Sequence, residues 1–190
     1  MRGWGSCGLG SIPSTPTYSI DNRVQDLYMI NLKVSKQTKG FCGPFAVKAI
    51  LDYYGTEKTI DEIAELIHAT HDYGCDPVDI VEGVKKIGLE VFYKKNSSIE
   101  EVKKYVDVGI PVIVEWFSPE DNGHYTPVVG FEGEDILLAD SLLGDIRRLS
   151  IKQFMFRWFE LDKYPPEKAE NFSLREIIVI YPKDHNLPIN

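Results

Sequence analysis

The sequence predicts an α+β fold in which a helical half packs on an antiparallel sheet. Two observations support this. Between Cys42 and Val106 the apolar residues recur mostly at helical spacing, and from Pro111 onward they fall into short extended runs separated by glycine turns. The 190 residues, 43% hydrophobic and 12% aromatic, suffice for one core but show neither an internal repeat nor a linker that would divide the chain.

Taken in order, Val24 to Val34 is mixed and reads as a short strand or an irregular lead-in. Ala46, Ala49, Ile50 and Tyr53 then mark a helix that starts at Cys42 and stops at Gly55. Thr59 with Glu62 forms a capping-box pattern for a second helix, whose apolar face is Ile60, Ile63, Ala64 and Ile67. A third helix opens at Asp76–Pro77, with proline in the first turn, and ends at Gly88. Leu89 to Tyr93 is a strand, and Ser98 caps a short helix through about Val106. Pro111 to Phe117, Tyr125 to Phe131, Asp135 to Ala139 and Ile146 to Leu149 are strands, with Gly123, Gly133 and Gly144 in the turns. Ile151 to Phe159 reads as one amphipathic helix and Glu176 to Tyr181 as a last strand.

The formal net charge of −8 repels phosphate backbones and anionic lipid, so nucleic acid and membrane surfaces are poor partners. The longest apolar runs, such as Ile110 to Val114 and Ile177 to Ile180, are strand-sized, so no membrane span is expected. Residues 1–23, rich in Gly, Ser, Thr and Pro, read as a flexible N-terminal tail without the apolar run of a secretory signal. Residues 24–190 read as a single domain in a cytoplasmic protein. The cysteines Cys7, Cys42 and Cys75 make no disulfide framework and no CxxC pair, although a single Cys7–Cys75 bridge stays open.

The segment Gln37-Thr-Lys-Gly-Phe-Cys42-Gly43-Pro44 carries the chemistry. It places a thiol at a helix start, where unpaired N–H groups and the positive end of the helix dipole favour the thiolate. Gly43 permits close approach, and Pro44 loses no helical hydrogen bond in the first turn. Gln37 is near enough in sequence to donate its amide to an oxyanion. A thiol nucleophile needs a base, and an imidazole, which unperturbed titrates near neutrality, is offered by His124 in Asn-Gly-His124-Tyr-Thr-Pro-Val-Val-Gly. Asp140 ends the next strand, where an antiparallel neighbour can orient that imidazole.

Together these residues resemble a known family. The Gln…Cys-Gly-Pro start, the Tyr-Tyr-Gly helix end, the Gly-His-Tyr…Val-Val-Gly-Phe strand and the Asp-Ser…Gly…Ser…Phe…Trp tail are similar to papain-like cysteine peptidases of the bacteriocin-processing, double-glycine leader type. The resemblance runs from about Gln37 to Trp158. It implies a papain-like fold and hydrolysis of a peptide or protein substrate through a thioester. Cys42 would be the nucleophile, His124 the general base and acid, Asp140 the orienting carboxylate and Gln37 the oxyanion donor. The family usually places the glutamine six residues before the cysteine, whereas Gln37 stands five before Cys42. Either the turn between them is tighter or Gln37 is not the donor. Many relatives are fused to transporters, so a chain without a membrane span need not act on a double-glycine leader.

Two other functions fit the same residues: an acyltransferase that passes the thioester to an amine, and a catalytically silent peptide-binding module. Retention of Cys42, His124 and Asp140 together argues against the second. No cofactor is implied. His68, His71 and Cys75 are loosely spaced like metal ligands, but zinc wants four and no fourth is evident, so no metal site is expected. Arg147 and Arg148, adjacent in a strand, face opposite ways, one into an ion pair and one into solvent. Trp116, Phe117, Trp158 and Phe159 read as core or groove wall. The tail is a candidate for lying across the cleft. The sequence leaves the oligomeric state open.

Overall fold

A computed structural model describes residues 29–161, 165–185 and 187–188. The tail and its cleft-covering role lie outside the described residues. Five helices and eight strands follow in the order α1 (Cys42–Tyr53), α2 (Ile60–Leu66), α3 (Pro77–Lys86), β1 (Glu90–Lys94), α4 (Ile99–Val106), β2 (Val112–Phe117), β3 (Gly123–Glu132), β4 (Asp135–Asp140), β5 (Asp145–Ser150), α5 (Ile151–Met155), β6 (Phe159–Leu161), β7 (Phe172–Leu174) and β8 (Ile177–Tyr181). The main sheet has six antiparallel strands in the order β1-β8-β2-β3-β4-β5, and β6 and β7 pair separately. This is the α+β layout that the sequence predicts.

The helix starts form for the reasons their sequences offer. At α2 the Thr59 hydroxyl accepts the Glu62 N–H while the Glu62 carboxylate accepts the Thr59 N–H, a reciprocal cap. At α4 the Ser98 hydroxyl accepts the Glu101 N–H. Helix α1 differs: its N-cap is Phe41, no side chain caps it, and its first turn carries no acidic residue. The first N–H groups of α1 are thus left uncapped by any side chain.

Between the sheet and the helices the core is apolar, with Val47, Ile50 and Leu51 of α1 and Val112, Ile113 and Val114 of β2 fully buried. Another cluster packs Trp116, Phe154 and Trp158 in ring contacts of 5.1–6.2 Å, so the tryptophans are core residues. Strand β3 breaks register with β4 between Val128 and Gly130, and the incoming chain uses the irregularity: the Ile30 N–H donates to the Val129 carbonyl at 2.7 Å.

One expected element is corrected. The helix anticipated over Ile151 to Phe159 stops at Met155, and Phe159 begins strand β6. The Phe117 N–H donates to the Arg157 carbonyl at 2.8 Å, and Phe159 stacks on Phe117 with centroids 5.4 Å apart. Pairing at the end of β2 takes residues that local periodicity assigned to the helix. The lead-in from Met29 contributes only an isolated bridge to Gly130 rather than a strand.

Candidate active site

The β2–β3 register places Trp116 opposite His124 and Glu115 opposite Tyr125. Because side chains alternate along a strand, Trp116 and His124 share one face while Glu115 and Tyr125 share the other. The Trp116 indole N–H donates to Thr126 at 3.0 Å on the first face, and its ring lies 6.0 Å from the imidazole, which is fully buried.

Strand β4 delivers Asp140 to the same place. Its Oδ1 is 2.9 Å from His124 Nε2 and also accepts the Leu142 N–H at 2.8 Å. Its other oxygen accepts from Arg147 Nε, and Arg147 also donates to Glu120 at 3.2 Å and lies over the Trp116 ring, 5.8 Å from its centroid. With Nε2 donating to Asp140, the neutral imidazole presents Nδ1 as a bare acceptor, and Nδ1 is buried with no hydrogen-bond partner. The adjacent arginines divide as follows: Arg147 is partly buried in this network, while half-exposed Arg148 pairs with Glu132 and Asp135 rather than standing free in solvent.

Burial alone would raise the Asp140 pKa, but the bonds from His124, Arg147 and the Leu142 N–H outweigh it and hold the carboxyl below its ordinary value. A depressed folded pKa contributes stability that is present above the unfolded value of about 3.9 and lost as pH falls through the folded value. We expect the wild-type protein to lose stability below about pH 4 in part through this group, and Asp140→Asn to lack that component. Urea unfolding midpoints across pH 2–6 measure it.

Cys42, at the first position of α1, is 7% exposed, and its sulfur is a hydrogen-bond acceptor for the backbone N–H of Tyr125, the residue after His124. The structure thus brings the α1 start to the His124–Tyr125 step of β3. Here the sequence-based expectation of a readily ionised thiol is corrected. Burial pushes the Cys42 thiol up to about 12. The N–H groups of Tyr125 and Gly43 pull it down, but Asp121 and Glu115 add to the rise. The helix-start effect is present as the Gly43 N–H, and desolvation outweighs it.

Gln37 sits against β4 through its backbone. Its N–H donates to the Ser141 carbonyl at 2.8 Å, and its side-chain Oε1 accepts from the Ser141 hydroxyl at 2.6 Å. This fixes the amide so that Nε2 is the free end, and Nε2 is buried with no partner. The residues between Gln37 and Cys42 make a tight turn, with Phe41 N–H donating to the Thr38 carbonyl at 3.2 Å and Gly40 at φ +78°. A side chain at Gly40 would run into the His71 carbonyl, so glycine serves both the backbone angle and the contact. His71 stacks on Phe41, centroids 3.9 Å apart, and its Nδ1 lies 2.7 Å from the Lys39 carbonyl.

Cys42 opens onto a cavity of about 640 Å³ that also touches Gly123, Tyr125, Cys75 and Glu115. Sequence reasoning missed the acidic wall of this cavity. Glu115, Glu160 and Glu176 come from β2, β6 and the residue before β8, far apart in the chain. The one available signal was Glu115 itself, a carboxylate inside an otherwise apolar strand, Val-Ile-Val-Glu-Trp-Phe.

Helices packed on a six-stranded antiparallel sheet define a papain-like α+β domain. Residues 29–165 match the family described as "Peptidase_C39 like family", and the chain belongs to that family of cysteine peptidases. Among curated relatives, the lactococcin-G-processing and transport ATP-binding protein LagD of Lactococcus lactis subsp. lactis is 30% identical over 137 residues, covering 72% of this chain and 19% of its own. The lactococcin transport/processing ATP-binding protein LcnC-like, from L. lactis subsp. lactis strain IL1403, is 25% identical over 158 residues, covering 78% and 22%. This chain thus spans about a fifth of their length. Among solved structures, the peptidase domain of Streptococcus ComA superposes with a TM-score of 0.62 at 22% identity, over 80% of this chain and all of that one. A double glycine motif protease from an AMS/PCAT transporter, solved with the leader peptide, gives 0.62 at 16% identity, over 81% and 94%. Among the described residues no helix is long and apolar enough to cross a membrane.

Proposed function

We propose that this chain hydrolyses peptide bonds through a thioester on Cys42, with His124, Asp140 and Gln37 in supporting roles. Nδ1 of His124 takes the Sγ proton as sulfur attacks the substrate carbonyl carbon. Gln37 Nε2 and the uncapped N–H groups at the start of α1 receive the developing oxyanion. Collapse expels the amine, which takes the proton back from His124. Water, deprotonated by the same imidazole, then attacks the thioester and releases the carboxylate and the thiol. Asp140 keeps the proton on Nε2 and balances the imidazolium charge.

The observation that carries this reading is the buried His124. Its Nε2 is committed to Asp140 and its Nδ1 to nothing, beside the residue whose N–H holds the Cys42 sulfur. Because burial favours the protonated thiol, in this reading the proton moves during attack rather than before it. Substrates of the double-glycine class are the first to try, given the family and the leader-bound protease noted above.

The test is incubation of the protein with a panel of Gly-Gly-containing peptides, read by mass spectrometry, beside Cys42→Ala. Wild-type cleavage that the variant lacks supports the reading; cleavage that survives in Cys42→Ala overturns it. Added hydroxylamine should not divert most of the product into hydroxamate; if it does, acyl transfer is the activity instead. For Gln37→Ala we expect kcat to fall about 10²-fold with little change in KM, since the amide acts on the transition state.

A further inference from the structure

The cavity in front of Cys42 is strongly acidic. Seven of its lining residues are Asp or Glu and two are Lys. An acidic wall is not by itself a site, but two of these carboxylates are buried with an oxygen unused. Glu115 is 9% exposed and its Oε2 has no hydrogen-bond partner. Glu176 is 3% exposed, its Oε1 is 2.8 Å from Lys95 Nζ, and its Oε2 likewise has none. A buried carboxylate oxygen without a donor costs free energy that the fold bears only if something else is served. Glu160 adds a third carboxylate and packs against Gly123, where a side chain would collide with it.

We propose that Glu115 and Glu176 form a subsite, next to the Cys42 sulfur, for a cationic group of the substrate, a lysine or arginine side chain or a free amine. It deepens the peptidase reading by naming a substrate chemistry, and it rests on that reading. Lys95 marks the chemistry the subsite accepts. Its ammonium bridges Glu176 and the Ser173 hydroxyl (2.7 Å) from a half-exposed position, while Glu115 has only Tyr125 and Glu176 itself as side-chain partners, and burial beside Glu160 and Glu176 pushes its carboxyl well above the ordinary value. A guanidinium or ammonium entering through the cavity supplies the donors that both free oxygens lack. It also offsets the negative charge that Glu115 and Asp121 direct at the thiol, so that cationic substrates bind and ease ionisation of the nucleophile together.

Paired thiol reagents test this without requiring peptide cleavage. The rate of Cys42 modification, mapped by peptide mass, is measured with cationic 2-(trimethylammonium)ethyl methanethiosulfonate and with anionic 2-sulfonatoethyl methanethiosulfonate. We expect the cation-to-anion rate ratio to fall about tenfold in Glu115→Gln/Glu176→Gln. It should rise in Lys95→Gln, where the resident cation is gone, and stay unchanged in Glu57→Gln, on a distant exposed loop. A ratio equal to wild type in the double variant overturns the proposal, as does a fall in Lys95→Gln. Should the double variant not fold, Lys95→Gln alone decides, because Lys95 is half exposed and its loss is tolerable. A protein that cleaves no peptide but shows these ratios keeps the subsite and loses the peptidase reading; an active peptidase with flat ratios does the reverse.

Discussion

Asp140→Asn is expected to lower kcat/KM on a cleavable Gly-Gly peptide by about 10³- to 10⁴-fold while the chain still folds. The carboxylate lies 2.9 Å from His124 Nε2, and a proton held there leaves Nδ1 as the ring's acceptor. An asparagine amide can present N–H to the ring, reversing the tautomer and removing the charge that supports the imidazolium. The same substitution strips Arg147 of its main partner, leaving only Glu120, which is half exposed. A mostly buried guanidinium that loses its main carboxylate is destabilising even with Glu120 still in reach. The two effects separate in Asp140→Asn/Arg147→Met, whose melting temperature should recover most of the loss while turnover stays at the level of the single variant. Recovery of turnover in the double variant would mean that Asp140 serves the fold alone.

Gly43→Ala is expected to destabilise the start of α1. A Cβ there would overlap the Cys75 sulfur and touch the Tyr125 ring, at a helix position where the backbone itself tolerates alanine. Overpacking of this kind costs about 1–3 kcal/mol, and here it pushes on the helix start that carries Cys42. Because the obstacle is one atom, Gly43→Ala/Cys75→Ala should regain the stability of Cys75→Ala alone. Thermal melts of the four proteins close the cycle; a double variant as unstable as Gly43→Ala would place the strain in the backbone instead.

Much of this site was legible before the fold was known, for local reasons. A cysteine at a helix start, a histidine opening a strand and an aspartate sixteen positions later at the end of the next strand are set by short-range pattern, and β-pairing then brings the last two together. The capping signals at Thr59 and Ser98 are equally local. What the sequence hid depends on contacts between distant segments. Strand β6 forms because Phe159–Leu161 pairs with distant β7 while Arg157 and Phe159 meet Phe117, so helical periodicity past Met155 misled. The thiol's reluctance to ionise comes from burial and from Asp121 and Glu115, none of which the α1 sequence contains. Alternation puts one of Arg147 and Arg148 in an ion pair, but which one, and its place behind Asp140, required the β4–β5 register.

The burial of Cys42 has a consequence for the protein's lifetime. Peroxide reacts with thiolate sulfur, and sulfinic acid, once formed, is not readily reversed. A buried thiol whose pKa is pushed up offers oxidants little thiolate to attack, and would become vulnerable only while a guest in the groove lowered its proton affinity. Idle molecules would then outlast working ones under oxidative stress, and an occupied groove, not the age of the enzyme, would set the rate of inactivation.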